Sequence, residues 1–271
     1  PDRPGRSLPR RCTAINRYHK NDLNRRIEPN PLSTLFISDV HVDSTRPEIL
    51  GQLLRFLETV ARDAEDLYIL GDLFETWIGD DDPDPDKHRV VHAVHDLSQS
   101  GVRCYFMAGN RDFLTGDVFA ERTGCELLQD PSLVQLFDVP VLLLHGDTLC
   151  TDDHEYQRFR QMVRDQGWQQ DFLSTSVDHR LAMASQARDT SKSCSSRKPP
   201  EIMDVSKTEV NAVMREHRTY TMIHGHTHRP GIHRFLVDDH PATRIVLGDW
   251  YTQGSYLRWS PAGYSLESLP R

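Results

Sequence analysis

The chain has 271 residues, which is enough for one α/β domain with a sizeable core and an inserted segment. Its 37% hydrophobic and 27% charged residues are typical of a soluble globular protein, and no apolar run approaches the ~18 residues of a membrane-spanning helix. The formal net charge of −8 argues against a general nucleic-acid binder, so we expect no nucleic-acid partner. The five cysteines are widely spaced and form no CxxC pair, which favours a reducing, cytoplasmic compartment.

Residues 1–33 differ from the rest of the chain. They carry eight Lys or Arg against three acidic residues, several prolines and no apolar periodicity. This composition predicts a disordered extension or a misplaced gene start, with an organellar transit peptide as the alternative. We therefore expect the folded domain to cover 34–271.

After this extension one pattern recurs: a short apolar strand runs directly into a cluster of Gly, Asp, Asn or His. The predicted strands are 35–38, 67–70, 104–107, 141–144, 220–223 and 245–247. Helical periodicity separates them, beginning at Pro47, over 87–98, and after a predicted capping box formed by Ser206 and Glu209. Strands that alternate with helices predict a layered α/β core with the polar clusters at the strand ends.

Two segments depart from this alternation. The acidic run 80–82, followed by prolines, lacks EF-hand spacing and predicts a solvated turn. Residues 151–200 suggest amphipathic helices followed by a Ser/Lys-rich stretch, which we interpret as an inserted helical cap. Any membrane contact would be peripheral, through apolar and basic residues of the cap: Arg158, Phe159, Arg160, Phe172, Leu173, Arg180 and Leu181.

Each polar cluster alone is typical of ordinary loop residues, but together they supply seven candidate metal ligands. These are Asp39, His41, Asp72, Asn110, His145, His226 and His228. Mixed nitrogen and oxygen ligands suit Mn, Fe, Co or Zn, and seven exceed what one ion takes. Two ions about 3.5–4 Å apart can clamp a phosphate and ionise a bridging water. The set predicts a two-metal phosphoesterase.

The order of these clusters, D-x-H, GD, GN, HG and GHxH, resembles the calcineurin-like metallophosphoesterases. Within that family the closer resemblance is to the bacterial members that cleave UDP-2,3-diacylglucosamine in lipid A synthesis, and it covers about residues 33–270. It is carried by segments 35–39, 68–82, 109–113, 145–153, 202–205 and 224–230. The resemblance implies a four-layer α-β-β-α sandwich with an inserted helical cap, two Mn-type ions, and hydrolysis to UMP and 2,3-diacylglucosamine 1-phosphate by a metal-activated water.

The resemblance also implies roles for single residues. One ion would be held by Asp39, His41, Asp72 and His228, and the other by Asp72, Asn110, His145 and His226, with Asp72 bridging. Catalysis would involve Asp72, Asn110 and Arg111. Substrate contacts would fall on Asn110, Arg111, Asp153, Ser191, Ser195, Lys198 and His226, although Ser195 stands where we expect Asn. We expect a monomer on the cytoplasmic face of the bacterial inner membrane.

Arg111 follows Asn110, where the wider superfamily has a histidine that can act as general acid. Arginine keeps its proton at working pH, but it can hold phosphate oxygens bidentately and stabilise developing charge. A reaction without an acid needs a good leaving group, and phosphate leaves more readily than an alkoxide. Arg111 therefore favours a pyrophosphate substrate over a simple phosphodiester.

Three functions compete. The first is the acylated nucleotide-sugar pyrophosphatase at a membrane surface, and the second is a soluble nucleotide pyrophosphatase or phosphodiesterase acting on a substrate without acyl chains. An apolar groove with a basic rim would favour the first, and a small polar cleft the second. The third is a non-catalytic scaffold, which we would expect to have lost metal ligands.

Overall fold

The computed structural model describes residues 32–195, 198–199 and 202–270, and it leaves the side chains of Lys192 and Ser195 undescribed. The predicted extension over 1–33 lies outside the described residues except for Leu32 and Ser33. Its disorder stays a prediction.

The first sheet has six strands in the order β11-β10-β1-β2-β3-β4. The strands β1 to β4 are parallel, while β10 and β11 add an antiparallel hairpin at the β1 edge. Both faces of β1 and β2 are buried, which explains their continuous apolar sequences. The strands are β1 (Thr34–Ile37), β2 (Asp66–Leu70), β3 (Arg103–Met107), β4 (Glu126–Leu128), β10 (Gly254–Ser260) and β11 (Gly263–Leu269).

The second sheet has five strands in the order β5-β6-β7-β9-β8. Its centre, β6-β7-β9, is parallel, and β5 and β8 pair antiparallel at its two edges. These strands are β5 (Ser132–Leu136), β6 (Val139–Leu144), β7 (Thr221–His224), β8 (Gly231–Val237) and β9 (His240–Val246).

Three apolar clusters define four layers. The cluster between the sheets joins Phe36 and Met107 of the first sheet to Leu143 and Ile223 of the second. A second cluster packs the outer face of the first sheet against α1 (Pro47–Glu58), α2 (Pro85–Gln99) and α3 (Asp117–Thr123). A third packs the second sheet against α7 (Lys207–Glu216). The predicted α-β-β-α sandwich is confirmed.

The helix starts follow the sequence with one exception. Pro47 lies in the first turn of α1, and α2 spans the predicted 87–98 with two residues more at its start and one at its end. Ser206 is the N-cap of α7, but its side chain makes no capping hydrogen bond. The predicted capping box is therefore wrong. The Ser206 N–H that Glu209 would accept already donates to Leu149 O at 2.8 Å.

Three helices lie between β6 and α7, in the segment predicted as a cap. They are α4 (His154–Val163), α5 (Gln166–Leu173) and α6 (Val177–Ser195). Asp153 and Asp165 cap the first two, because each carboxylate accepts a backbone N–H of the first turn. We refer to residues 151–200 as the cap.

Several side chains expected at the surface are buried instead. Arg180 is 3% exposed because it donates to Ile78 O and pairs with Asp81, and Phe172 joins the core beside α1–α3. Neither can form the predicted membrane contact. The prediction of a solvated turn at 80–82 is also wrong at Asp82, because this side chain is 2% exposed and forms an ion pair with Lys87 at 2.6 Å.

Candidate metal centre

Two groups of possible metal ligands lie at the carboxyl ends of the parallel strands. Asp39, His41 and His228 form one group, and Asp72, His145 and His226 form the other; within each group the ligand atoms lie within 4.8 Å of one another. The first sheet supplies Asp39, His41 and Asp72 through the loops after β1 and β2. His145 follows β6, and His226 and His228 follow β7. The six side chains therefore converge from both sheets.

The first group is closely packed. The Nε2 atoms of His41 and His228 are 3.2 Å apart, and His228 Nε2 lies 3.2 Å from Asp39 Oδ1. Asp72 Oδ2 approaches His41 Nε2 at 3.8 Å.

The second group is joined by Asn110. Its Oδ1 lies 2.9 Å from His145 Nε2 and 2.8 Å from His226 Nδ1. Asp72 Oδ1 is 3.6 Å from His145 Nε2, so the two oxygens of Asp72 face different groups. This is the position that a bridging carboxylate would occupy.

The backbone at these ligands has an uncommon conformation. Asp39, His41, Asp72, His226 and His228 all have φ between 53° and 66°, in the left-handed region that side chains with a Cβ seldom adopt. Such conformations persist only where the surrounding structure enforces them, and they concentrate at functional sites.

Close approach of the loops requires glycine at Gly71 and Gly109. A Cβ on Gly71, where φ is 85°, would lie 2.6 Å from the Gly109 backbone and from His145 Nδ1. Any other residue at Gly71 would push apart the two loops that hold Asp72 and Asn110.

The donor atoms fit divalent cations. Asp39 is fully buried, and its Oδ1 faces the Nε2 atoms of His228 at 3.2 Å and His41 at 3.9 Å. Burial opposes the charged form of Asp39, yet the hydrogen bond and charge of His228 hold its pKa below its usual value. Burial also opposes protonation of His145, but the carboxylates of Asp72, Asp147 and Asp39 raise its pKa to about 9. The site thus attracts positive charge, which a cation would supply.

Residues behind the ligands orient them. His145 Nδ1 donates to Leu70 O at 2.9 Å, and His41 Nδ1 lies 2.9 Å from Glu75 Oε2. Asp249 Oδ2 lies 3.7 Å from His228 Nδ1. Each contact leaves the opposite ring nitrogen pointing at the ligand group, as outer partners of metal-binding histidines do.

Asp112 ties two ligand loops together. Its carboxylate is fully buried and accepts the backbone N–H groups of Leu73 at 2.7 Å and Gly109 at 2.8 Å. Sequence reasoning missed Asp112, Glu75 and Asp249 as supporting residues. Asp249 had a signal, because it follows the sixth strand of the strand-to-cluster pattern.

A cleft of about 690 Å³ opens beside this centre. Five predicted substrate-contact residues line it: Asn110, Arg111, Asp153, Ser191 and Lys198. His226 contacts two residues that line the cleft. Its Nδ1 lies near Asn110 Oδ1, and the centre of its ring is 5.7 Å from the centre of the Tyr156 ring. The side chain of Ser195 lies outside the described residues, so the structure says nothing about that contact.

The cleft is both apolar and basic. Apolar side chains from the core loops and from the cap form much of its lining: Trp77, Ile78, Phe113, Leu114, Phe159, Met162, Val163, Trp168, Phe172 and Met183. Basic side chains accompany them: Arg111, Arg158, Arg160, Arg164, Arg188 and Lys198. Of these, Arg160 pairs with buried Asp147 at 2.8 Å, so it faces inward rather than towards a membrane.

Comparison with known proteins places this geometry in a family. The model of the calcineurin-like phosphoesterases matches residues 32–230, which covers most of the folded part and all seven predicted ligands. The chain belongs to this family of metal-dependent phosphoesterases.

Proteins that are about half identical to this chain carry a more specific name, UDP-2,3-diacylglucosamine hydrolase. The protein of that name from Stenotrophomonas maltophilia K279a is 50% identical over 247 residues, covering 89% of this chain and all of the relative. The one from Aeromonas salmonicida A449 is 50% identical and covers 87% of this chain and 93% of its own length. The one from Salmonella paratyphi C is 46% identical, covering 88% and 100% respectively.

Proposed function

We propose that the chain hydrolyses the pyrophosphate bond of UDP-2,3-diacylglucosamine, releasing UMP and 2,3-diacylglucosamine 1-phosphate in lipid A biosynthesis. The observation that carries the proposal is an apolar cleft with basic side chains that adjoins the second ligand group through Asn110. A phosphate would be bound at the ligand groups while acyl chains lie against the apolar wall. The names of the relatives support the same substrate.

Two divalent cations, which we propose to be Mn²⁺, would be held by the seven predicted ligands. When bound, such a pair polarises a phosphate and lowers the pKa of a water molecule between the ions. Asp72 would contribute to both sites, while Asn110 would complete the second group beside His145 and His226 and contact the substrate.

Arg111 would stabilise the charge that develops on the phosphate. It lines the cleft next to Asn110, and its Nε is buried without a hydrogen-bond partner in the described part of the chain. A fixed, unpaired guanidinium N–H beside a metal centre is suited to a phosphate oxygen.

Lys198 would bind the polar part of the substrate together with Asp153 and Ser191. Lys198 Nζ donates to Asp153 Oδ1 at 2.6 Å across the cleft, which holds both side chains at its wall. We also assign substrate contacts to His226 and Ser195.

Peripheral binding to the cytoplasmic face of the inner membrane would bring the enzyme to its lipid substrate. The cap exposes Phe159, Met162, Leu173, Leu181 and Met183, each at least 39% accessible. No helix in the described ranges is both long and apolar enough to cross a bilayer. Exposed apolar side chains beside basic ones are suited to an anionic membrane surface.

The assay that tests this function compares three substrates with purified protein and Mn²⁺. They are UDP-2,3-diacylglucosamine, its deacylated counterpart and a chromogenic aryl phosphodiester. We expect kcat/KM to be highest for the acylated substrate, because only its chains fill the apolar cleft. Equal values for the acylated and deacylated compounds would favour the alternative, a nucleotide pyrophosphatase that acts on a substrate without acyl chains.

A further inference from the structure

We propose that Arg164 is a positioning residue that ties the cap to the loop carrying Asn110. Arg164 is the C-cap residue of α4 and belongs to the cap. Its Nη2 donates to Gly109 O at 2.9 Å and to Ala108 O at 3.3 Å. One guanidinium nitrogen thus binds two successive carbonyls directly before Asn110. The inference rests on the proposed function only for the choice of lipid substrate.

The bound loop carries groups of the metal centre. Asn110 Oδ1 contacts His145 and His226, and the backbone N–H of Arg111 donates to Asp72 Oδ1 at 2.8 Å. A displacement of this loop would move an amide oxygen away from two candidate ligands. It would also break the hydrogen bond that orients the shared carboxylate.

The loop is held from two sides by different parts of the protein. Asp112, within the core, accepts the Gly109 N–H at 2.8 Å, while Arg164, from the cap, donates to the Ala108 carbonyl of the same peptide group at 3.3 Å. The core contact fixes one edge of the peptide and the cap contact fixes the other. Removal of Arg164 leaves the peptide anchored on the N–H side only, so it can tilt.

Arg164 also belongs to the cleft wall. Its guanidinium carbon lies 5.7 Å from the centre of the Phe113 ring. The centres of the Phe113 and Trp168 rings are 6.2 Å apart. Trp168 stacks on Phe172 at 5.1 Å, which extends this aromatic column along the apolar side of the cleft. A substrate that packs against the rings of Phe113, Trp168 and Phe172 contacts the same aromatic surface that Arg164 contacts. The arginine therefore connects the binding cleft to the metal centre.

The first test measures amide hydrogen exchange of the 106–113 segment, with and without Mn²⁺, in wild type, Arg164→Ala and Arg164→Lys. The matched control is Arg215→Ala, which removes an exposed arginine of α7 paired with Asp238. We expect faster exchange at Gly109 and Arg111 in Arg164→Ala, partial recovery in Arg164→Lys, and no change in the control. Lysine can restore one of the two hydrogen bonds but lacks the planar fork.

The second test uses kinetics to distinguish a role of Arg164 in positioning the Asn110 loop from a role in forming the wall of the cleft. We expect Arg164→Ala to lower kcat by about tenfold or more on both the acylated substrate and the aryl phosphodiester, with a smaller change in KM. Unchanged exchange at 106–113, with KM raised for the acylated substrate alone, would overturn the proposal, because Arg164 would then only shape the groove. If the wild type does not cleave the acylated substrate, the proposed function fails while the exchange data and the aryl phosphodiester still decide the role of Arg164.

Discussion

We expect the side chain of Arg111 to decide which class of substrate the enzyme cleaves. Arg111→His would supply a general acid and remove the fixed charge. We expect most activity on the pyrophosphate substrate to be lost, since one charge-assisted transition-state contact contributes about 3 kcal/mol, or roughly a hundredfold in rate. Activity on an alkyl phosphodiester should fall much less, because its alkoxide leaving group benefits from a proton. The ratio of the two rates, followed from about pH 6 to 9, is the quantity to measure.

An unchanged ratio, with both activities falling together, would show that Arg111 supports the local structure instead. The backbone of Arg111 has a structural role of its own, because Arg111 N–H binds Asp72 and Arg111 O accepts from Trp77 N–H at 3.1 Å. Since substitution leaves these backbone groups in place, the histidine variant tests the side chain alone.

Single residues of the centre differed in how far the sequence could predict them. The seven predicted ligands follow strands, and their residue types already indicate metal chemistry. Glu75 and Asp112 could not be recognised in the same way, because Glu75 contacts His41 and Asp112 accepts the Leu73 N–H, and both partners lie far away along the chain. An aspartate within a turn can accept hydrogen bonds from many neighbouring N–H groups. Only the folded structure shows that Asp112 accepts those of Leu73 and Gly109.

At the scale of elements, the cap is fastened to the core by Arg180 of α6. This side chain donates to Ile78 O at 2.7 Å and bidentately to Asp81. We expect Asp81→Ala to lower the free energy of unfolding by about 1 kcal/mol, because the buried guanidinium loses its partner while Ile78 O still accepts. Denaturant unfolding followed by tryptophan fluorescence measures the change.

The control for that variant is Arg89→Ala, which removes an exposed i,i+3 partner of Asp86. Exposed pairs of this kind contribute about 0.3 kcal/mol, so its effect should be clearly smaller. Equal losses in the two variants would mean that Arg180 does not anchor the cap. The acidic run 80–82 gave no sign of this anchor, because its partner Arg180 lies about a hundred residues further along the chain.

Across the whole molecule, the sequence predicted six of the parallel strands and missed the parallel strand β4 and the antiparallel additions. Parallel strands end in the polar clusters, so the pattern that revealed the site also revealed β1, β2, β3, β6, β7 and β9. The edge strands β8 and β11 contain few buried residues, so their sequences lack the continuous apolar runs of β1 and β2. β8 pairs with β9, and β11 with β10, across short hairpin turns, which the pattern of strands followed by polar clusters does not detect.

The exposed apolar side chains of the cap predict that the whole molecule binds anionic membranes. Flotation with anionic liposomes at low salt should carry wild type to the lipid fraction, and the double variant Leu173→Ser with Leu181→Ser should float less. The matched control is Leu236→Ser, which changes an equally apolar residue exposed on β8. Absence of flotation by wild type would favour a function away from membranes, and loss of flotation in the control would show that the cap is not the contact.

The most direct test of the metal centre is the number of Mn²⁺ ions bound per chain, measured together with activity, in wild type and Asp72→Ala. Asp72 places one oxygen near His41 and the other near His145, so its loss should weaken both sites. Wild type should bind two equivalents, and the variant should lose bound metal and several orders of magnitude in turnover. Asp43→Asn, which alters a nearby carboxylate that pairs with Arg188, should retain both equivalents. Full activity and unchanged metal content in Asp72→Ala would contradict the two-metal account.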